Sequence, residues 1–342
     1  MIPAARRSAP GPEGPGRTAG PERALLSWLP APAAVRLEGK DRIDFLHRLT
    51  TNDLLSAAPG QGRYTVFLNT RGRVMDLVLA LVLDEAVLLI PSPGNAEPIR
   101  ALLDGYLFRE EVTLRCDEDL AGGLLFGGGA RAVLERATGD PLPGGDIGDH
   151  RPCRIAGVDG RVARILPMQG DTFRLVFDRN ALGAVEGALL NGGGAPASES
   201  DLESFRVEAM LPALGRELSE EFNPWEVSLD RAINLQKGCY LGQEVVARLH
   251  TYRKVQRRLV GLELSGGIPR LPAPLFDGEQ NAGIITSAAP APDGNRWLAL
   301  GVVRAALCKP GQELRSEPSD APITCRVRAD APPLAESFAG PS

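Results

Sequence analysis

Strand-like and helix-like patterns of apolar residues alternate along the chain. Residues 34–37 alternate with a period of two and predict a strand, whereas apolar side chains at 43, 46 and 49 predict a helix capped by Asp41. The same patterns predict strands near 63–69, 74–83, 86–90, 111–116, 121–126, 153–156, 161–166 and 172–177, and helices near 96–107, 129–137, 181–190 and 243–249, with a further helix capped by Ser198 or Ser200. Hairpins mixed with single helices indicate an α+β fold.

The pattern changes past residue 255, where helical periodicity ends. Short strands separated by Pro/Gly-rich turns predict a small all-β barrel or sandwich near 259–264, 283–286, 297–303 and 323–327. Small residues at 192–197 predict a flexible connection. We therefore divide the chain into a disordered tail (1–23), an α+β domain of two lobes (24–254), a β-barrel domain (255–330) and a frayed tail (331–342).

The amino-acid composition argues against several classes of protein. Of the 342 residues, 43% are hydrophobic and 24% are charged, as in folded, soluble proteins. A net charge of −5 gives no global attraction to nucleic acid, so we expect no stable nucleic-acid binding. The three histidines and five cysteines lack metal-ligand spacings, which argues against a metal site built by this chain alone. No apolar run has the length of a membrane span and no secretory signal is evident, so we expect a cytoplasmic protein without membrane contact.

The stretch 237–244, with the sequence Lys-Gly-Cys-Tyr-Leu-Gly-Gln-Glu, carries the clearest candidate chemistry. Cys239 lies two residues after Lys237 and just before the helix predicted at 243–249. An ammonium group and the positive end of a helix both favour thiolate over thiol. Cys239 is therefore a candidate reactive residue, and Lys237 is a candidate for holding it ionised. The alternative is a buried, inert cysteine in a tight turn.

Three other features each allow a structural and a functional interpretation. The polar residues 50–53 form either a turn or part of a ligand site. Trp225 either packs in the core or stacks on an aromatic ligand. A basic run follows the helix predicted at 243–249 and is either a solvated interdomain linker or a site for an anion. This run consists of Arg248, His250, Arg253, Lys254, Arg257 and Arg258.

Short motifs recur in a fixed order between about residues 33 and 328. The stretch from 237 continues as Val-Val-Ala-Arg to residue 248. The other motifs are Gly39-Lys40-Asp41 with Phe45-Leu46, Thr50-Thr51-Asn52-Asp53, Phe67-Leu68-Asn69 with Gly72-Arg73-Val74, Arg206-Val207-Glu208-Ala209, and Leu300-Gly301-Val302-Val303. Together they resemble the YgfZ family, which consists of folate-binding proteins related to the T-protein of the glycine cleavage system.

The resemblance implies a T-protein-like fold, with a folate-binding α+β body and a C-terminal all-β barrel around a folate channel. It implies tetrahydrofolate as the ligand and a role in making or repairing iron–sulfur proteins, with iron–sulfur enzymes, including tRNA-modifying ones, as partners. Glu208 corresponds by motif to the family's pterin-binding carboxylate, which suits the two-donor edge of a pterin. Other candidate folate-binding residues in the matched motifs are Arg206, Asn69, Tyr240, Gln243 and Glu244.

Two positions depart from this pattern. Where T-proteins place a catalytic acid, near the start of the helix after the third strand, Glu97 is the only candidate and is poorly placed. This argues against aminomethyl transfer, which needs an acid–base group near the folate nitrogens. Met210 stands where the family usually has glycine and is expected to reshape the pterin pocket. We therefore expect an accessory factor, with a folate-dependent aminomethyl or one-carbon transferase as the alternative.

Overall fold

A computed structural model describes residues 22–29, 33–140, 142, 145–252, 255–316 and 323–335. Most of the predicted N-terminal tail, residues 1–21, lies outside these ranges, as do residues 336–342 of the predicted C-terminal tail. Arg253 and Lys254 of the basic run also lie outside them.

The described residues form strands and helices in the following order. The strands are β1 (Ala24–Trp28), β2 (Val35–Glu38), β3 (Gly62–Leu68), β4 (Val74–Val82), β5 (Ala86–Ile90), β6 (Thr113–Cys116), β7 (Leu120–Phe126), β8 (His150–Ile155), β9 (Val158–Ile165), β10 (Thr172–Asp178), β11 (Gly194–Pro196), β12 (Arg257–Ser265), β13 (Ala273–Asp277), β14 (Gln280–Pro290), β15 (Trp297–Arg304), β16 (Glu313–Ser316) and β17 (Ile323–Val327). The α-helices are α1 (Arg42–Leu49), α2 (Ala96–Asp104), α3 (Ala130–Thr138), α4 (Leu182–Asn191), α5 (Glu199–Glu208) and α6 (Gln243–Thr251), and short 3-10 helices lie at Arg179–Ala181, Asp230–Ala232 and Ala305–Leu307.

Two sheets pack face to face and form the body of the molecule. One has the strand order β3-β4-β5-β2-β6, and the other has the order β11-β1-β7-β10-β9-β8. Strand β4 is apolar at nearly every position because both of its faces are buried. Val78 and Ala80 pack toward α1 and α2, whereas Leu79 and Leu81 pack against the second sheet. The second sheet is covered on its other face by α3 and α4. Both faces of each sheet are therefore buried. This is the arrangement expected for strands in which polar and apolar residues do not alternate.

The C-terminal strands close into an antiparallel barrel with the order β12-β15-β14-β13-β16-β17. Its interior is lined by apolar side chains from every strand, among them Leu262, Leu275, Ile285 and Cys325. This confirms the predicted fold class, an α+β body followed by an all-β barrel. Closure of the sheet leaves no unpaired edge among the described strands β12 to β17.

The segment between α5 and α6, residues 209–242, joins the body to the barrel and contains only turns and one 3-10 helix. Its apolar side chains, such as Phe222 and Trp225, share one core with Val66 of β3 and Leu300 of β15. Buried irregular backbone needs hydrogen bonds from side chains. Asn223 supplies them here, since its Oδ1 accepts from the N–H groups of Trp225 at 3.0 Å and Glu226 at 3.1 Å.

Three predictions of local structure need correction. Asp41 precedes α1 but makes no side-chain cap; its Oδ2 instead accepts from the Glu111 N–H at 2.8 Å. Residues 192–197 are not a free connection, because β11 pairs in parallel with β1. Residues 331–335 of the predicted frayed tail are docked: Leu334 is buried, and its carbonyl accepts from the Arg231 N–H at 2.9 Å. The capping prediction for α5 is confirmed at Ser198.

Candidate functional site

The loop that carries Cys239 is anchored by Lys237. The Lys237 side chain is buried, and its ammonium donates to the carbonyls of His47, Thr50 at 2.6 Å and Asn52 at 2.8 Å. These carbonyls lie at and just after the C-terminal end of α1, where backbone acceptors lack helical partners and the helix dipole is negative. Burial lowers the pKa of Lys237 to about 8. Lys237 thus ties the cysteine loop to the first lobe.

Cys239 itself is exposed to solvent. The prediction that Cys239 is buried in a tight turn is therefore wrong, whereas its reactivity stays a prediction. The three carbonyls that hold the Lys237 ammonium belong to α1 and the turn after it, not to the cysteine loop. The pairing of Lys237 with the thiol stays a prediction.

Tyr240 and Gln243 hold the other end of the loop. The Tyr240 ring is buried, with the Lys237 ammonium 5.3 Å from its centroid, and its hydroxyl has no hydrogen-bond partner among the described residues. Burial raises the pKa of Tyr240 to about 12. Gln243 Oε1 accepts from the Tyr240 N–H at 3.3 Å, while Glu244 in the first turn of α6 is exposed. Their predicted contact with folate remains a prediction.

Asn69 belongs to the β3–β4 turn, which packs against the start of α6. Its Oδ1 accepts from the N–H groups of Arg71 at 2.9 Å and Arg73 at 3.1 Å, and its Nδ2 donates to Glu220 Oε2 at 2.8 Å. The first two contacts shape the turn, and the third ties it to the segment between α5 and α6. Asn69 therefore has a structural role beside the cysteine loop. Its predicted contact with the ligand stays a prediction.

Glu208 ends α5 and lies half-buried beside Gln169. The Gln169 Nε2 donates to Glu208 Oε2, whereas the Gln169 Oε1 is buried and lacks a partner among the described residues. Burial raises the pKa of the Glu208 carboxyl, and the charge of Arg328 partly opposes this shift. The pair thus presents a carboxylate and an unsatisfied amide oxygen side by side, both of them hydrogen-bond acceptors.

Arg206, two residues earlier on α5, uses all five of its guanidinium donors within the protein. Nε and Nη2 donate to the carboxylate of Glu203 at 2.9 and 2.7 Å, and Nη2 also donates to Ser287 Oγ at 2.7 Å. Nη1 donates to the Leu211 carbonyl at 2.6 Å and to Glu217 at 3.3 Å. No donor remains for a ligand, which favours a structural role over the predicted folate contact.

A cavity of about 140 Å³ lies between the two sheets of the body. Its walls include Tyr64 of β3, Leu77 of β4, Leu166 and Arg174 of the second sheet, and Leu211 after α5. None of the described residues that line it is acidic. Two other cavities, one at the barrel and one beside α6, contain neither Glu208 nor Cys239 in their lining.

Two carboxylates of the first sheet and α2 differ in their relation to this cavity, since Asp76 bonds the cavity-lining Ser92 and Glu97 does not line it. Asp76 is buried, and it accepts from Ser92 Oγ at 2.6 Å and from Asn95 Nδ2 at 2.8 Å, so it fixes the loop before α2. Glu97 is exposed and binds Arg100 Nε at 2.9 Å and Cys116 Sγ at 3.1 Å. The predicted poor placement of Glu97 for acid–base catalysis agrees with this surface position.

Met210 occupies a backbone conformation that favours glycine. Its φ is 53°, in the left-handed region where a side chain costs about 1 kcal/mol or more. The side chain is buried and lies against the Cα of Gly261 in the barrel. A glycine at this position would avoid the strain but lose this contact between body and barrel.

The described contacts of Trp225, the 50–53 turn and part of the basic run are structural, and their alternative ligand roles stay predictions. Trp225 is buried, and its Nε1 donates to the Val246 carbonyl at 3.0 Å. Thr51 Oγ1 donates to the Ala232 carbonyl at 2.7 Å, so the 50–53 turn joins the α5–α6 segment. In the basic run, Arg257 pairs with Glu226 at 2.8 Å and Arg258 pairs with Asp230 at 3.1 Å. These two arginines of the run therefore bind carboxylates of their own chain.

Sequence reasoning missed Gln169 and Arg174. Gln169 has a φ of 53° and gave no local signal, because its partner Glu208 is 39 residues away. Arg174 did leave a signal, since it interrupts the apolar run Phe-Arg-Leu-Val-Phe of β10. A charged residue that interrupts an apolar strand breaks the local pattern, as is expected at functional or strained positions.

The family models and relatives agree with this architecture. Residues 32–237 match the GCVT N-terminal domain, and residues 257–334 match the glycine cleavage T-protein C-terminal barrel domain. The chain is 32% identical over 286 residues to an aminomethyltransferase of Synechococcus sp., covering 82% of this chain and 79% of that protein. It is 30% identical over 312 residues to an aminomethyltransferase of Thermus thermophilus, covering 88% of this chain and 82% of that protein.

Two further proteins match this chain over a smaller share of their length or at a lower sequence identity. A chloroplastic protein of Arabidopsis thaliana, named as a transferase, is 31% identical over 272 residues, and the match spans 79% of this chain but only 63% of that protein. The crystal structure of the glycine cleavage system aminomethyltransferase T from Bartonella henselae superposes with a TM-score of 0.80 at 24% identity, covering 91% of this chain and 86% of that one. None of the described helices is long and apolar enough to cross a membrane. Both matched domains together show that the chain belongs to the glycine cleavage T-protein family.

Proposed function

We propose that this protein binds tetrahydrofolate and serves as an accessory factor in the assembly or repair of iron–sulfur proteins. Clients would include tRNA-modifying iron–sulfur enzymes. The observation that carries the folate part is the acceptor pair formed by Glu208 and Gln169. The part that concerns iron–sulfur proteins depends on the exposed thiol of Cys239 and on the resemblance of its motif to the YgfZ family.

The Glu208 site fits the edge of a pterin. The 2-amino group and the N3–H of a pterin are two adjacent donors, and a carboxylate accepts such a fork with both oxygens. The Gln169 Oε1 is buried without a partner among the described residues, and a buried acceptor of this kind gains free energy from a donor. Family aminomethyltransferases use tetrahydrofolate, which supports the same ligand. Bound folate would supply a one-carbon carrier at this site.

The placement of Cys239 supports a role toward a partner protein. Its thiol is exposed on a loop held at both ends, by Lys237 and by Tyr240. A fixed, accessible thiol is placed to react with or ligate a group presented from outside. Among the described residues no cluster of three or more His, Cys, Asp or Glu side chains could hold a metal, so any cluster contact would be shared with the client.

Aminomethyl transfer is the second candidate, because curated relatives bear that name. The reaction requires an acid–base group near the folate nitrogens. The inter-sheet cavity contains no acidic residue in its described lining, and Glu97 is bound to Arg100 on the surface. Glu97 therefore does not supply this group, and the acidic candidate beside the cavity is Asp76, whose pKa is raised by burial and whose carboxylate accepts from the cavity-lining Ser92.

A titration with tetrahydrofolate tests the binding site. We expect Glu208→Ala to lose at least tenfold in affinity, while Cys239→Ala binds like the wild type. Equal affinity of Glu208→Ala and the wild type would refute the pterin site.

The two candidate functions separate in cells and in an enzyme assay. Cys239→Ser should fold and bind folate but fail to complement an iron–sulfur defect, and full complementation would exclude the thiol mechanism. Turnover of an aminomethyl donor with tetrahydrofolate, retained in Cys239→Ser, would instead establish the transferase.

A further inference from the structure

A recess of about 350 Å³ lies where the β3–β4 turn, the α5–α6 segment, α6 and the residue before β12 meet. Arg71 and Arg73 line it from the turn. Val245 and Leu249, which are one helical turn apart, line it from α6. Neither Glu208 nor Cys239 is among the described residues of its lining, so the recess is separate from the folate and thiol sites proposed above.

The recess contains hydrogen-bond donors that the described part of the chain does not use. The Arg71 side chain is exposed and has no hydrogen bond or ion pair with any described residue. Arg73 donates from Nη1 to the Glu221 carbonyl at 3.1 Å, which leaves its Nε and Nη2 without a partner among those residues. Asn223 Oδ1 accepts from two backbone N–H groups, and its Nδ2 is the group left to donate.

The one acidic side chain in the described lining, Glu226, is compensated within the protein. Its Oε1 accepts from Arg257 Nε at 2.8 Å, and its Oε2 accepts from the Asn223 N–H at 3.0 Å. Arg73 Nη1 lies 3.6 Å from the same carboxylate. Because Arg257 already neutralises Glu226, the guanidinium groups of Arg71 and Arg73 give the recess an excess of positive charge.

Two further carboxylates of the α5–α6 segment are directed elsewhere. Glu220 Oε2 accepts from Asn69 Nδ2 at 2.8 Å. Glu221 lines the separate cavity at the barrel, and the group that it offers to Arg73 is its backbone carbonyl. Neither carboxylate therefore takes up the unused donors of the recess.

We propose that this recess binds a phosphate monoester, with the phosphate on Arg71 and Arg73 and the organic part against α6. A phosphate offers several oxygens to guanidinium groups, which bind it through paired hydrogen bonds, and Asn223 Nδ2 supplies a further donor. Val245 is 36% exposed and Leu249 is half-buried, so both have apolar surface that a ligand can cover. A few placed donors beside an apolar wall are typical of small-molecule sites.

Calorimetric titration of the full chain tests the ligand class. The probes are phenyl phosphate and ribose 5-phosphate, their neutral counterparts phenol and ribose, and inorganic phosphate. We expect phenyl phosphate to bind at least tenfold more tightly than phenol, which lacks the anion, and more tightly than inorganic phosphate, which lacks the organic part. The proposal is overturned if neither monoester binds, if phenol binds as tightly as phenyl phosphate, or if inorganic phosphate matches both monoesters.

Substitutions test the two halves of the site separately. Arg71→Gln should fold like the wild type, because the side chain has no described partner, and should lower the affinity for phenyl phosphate at least tenfold. Val245→Ser should reduce the advantage of phenyl phosphate over inorganic phosphate. The matched control is Arg270→Gln, since Arg270 is also exposed and without a described partner but does not line the recess. Wild-type affinity in Arg71→Gln, or an equal loss in Arg270→Gln, would contradict the proposal.

Two competitors separate this site from other ligands. Saturating tetrahydrofolate should leave the affinity for phenyl phosphate unchanged, because Glu208 lies outside the recess. Displacement of the probe by tetrahydrofolate would overturn the assignment of a separate site. A ribo-oligonucleotide that binds more tightly than both monoesters, and that loses this affinity in Arg71→Gln, would overturn the small ligand in favour of a nucleic-acid contact.

Discussion

Lys237 and Cys239 are two residues apart, yet their side chains serve different parts of the molecule. The Lys237 ammonium donates to carbonyls at the end of α1, whereas the Cys239 thiol is exposed. Lys237 is therefore a structural anchor of the loop, and its predicted effect on the ionisation of the thiol stays a prediction. Lys237 holds the loop in place, while the thiol of Cys239 stays exposed to solvent.

This division predicts unequal effects on stability. Lys237→Met should lower the free energy of unfolding by about 3 kcal/mol, because three buried carbonyls lose their donor. Cys239→Ser should change it by less than about 0.5 kcal/mol, as for other exposed positions. Urea unfolding measures both. A strongly destabilised Cys239→Ser would show that the thiol has a packing role after all.

The raised pKa of Glu208 predicts a pH dependence of tetrahydrofolate affinity. Only the carboxylate accepts two donors, and this form prevails above the Glu208 pKa, which burial moves above the usual value of 4.5. Affinity should therefore be full near neutral pH and fall as the pH drops toward and through that pKa. Fluorescence titration between pH 4.5 and 8 would measure this change in tetrahydrofolate affinity. The control is Glu208→Gln, in which this component of the pH dependence should disappear.

At the scale of elements, the β3–β4 turn and the start of α6 fit together through two glycines. Gly72 has a φ of 68°, and a Cβ there would lie 2.9 Å from the Cβ of Val245. Gly242 has a φ of 81°, and a Cβ there would lie 3.0 Å from the Asn69 carbonyl oxygen. These close approaches explain why two motifs about 170 positions apart both need glycine.

The contact can be tested by adding single methyl groups. Gly72→Ala should lower the free energy of unfolding by about 2–3 kcal/mol, from backbone strain plus the collision with Val245. Gly94→Ala is the matched control, since its φ is 80° but no atom lies within 4 Å of the added Cβ. It should cost only the backbone component of about 1 kcal/mol. Equal losses in the two variants would contradict a close contact between turn and helix.

At the scale of the whole molecule, body and barrel are joined by a buried polar cluster around Glu217. This carboxylate is fully buried and accepts from Ser287 Oγ at 2.6 Å, from the Ala213 N–H at 3.0 Å and from Arg206 at 3.3 Å. Thr286 Oγ1 donates to it at 2.5 Å. The cluster fixes the barrel against α5, and thereby the position of the Glu208 site.

Loss of this charge should affect the entire fold. Glu217→Gln leaves Arg206 partly uncompensated and should lower the free energy of unfolding by about 3 kcal/mol. Glu313→Gln removes an exposed ion pair with Arg326 within the barrel and should leave the free energy of unfolding nearly unchanged. Chemical denaturation compares them. Similar small losses in both variants would mean that the cluster does not stabilise the contact between domains.

Local patterns predict much of this architecture but not its contacts. The period-two and helical patterns place β2 to β5, α1 and α6 close to their observed bounds, because each element buries a face that its own sequence specifies. They fail at β11, where three residues form a strand only because β1 lies beside them. They also fail for Arg206, whose motif suggests a ligand but whose donors are used by residues up to 81 positions away.

The sequence by itself determined most of the elements, the division into body and barrel, and the identity of the residues with candidate chemistry, because these depend on neighbours within a few positions. Only the tertiary structure decided that Lys237 is an anchor, that Cys239 is exposed, and that Arg174 lines a cavity without an acidic residue in its described lining. The reason is physical: burial, hydrogen-bond partners and charge compensation are set by segments that are distant along the chain and adjacent only after folding.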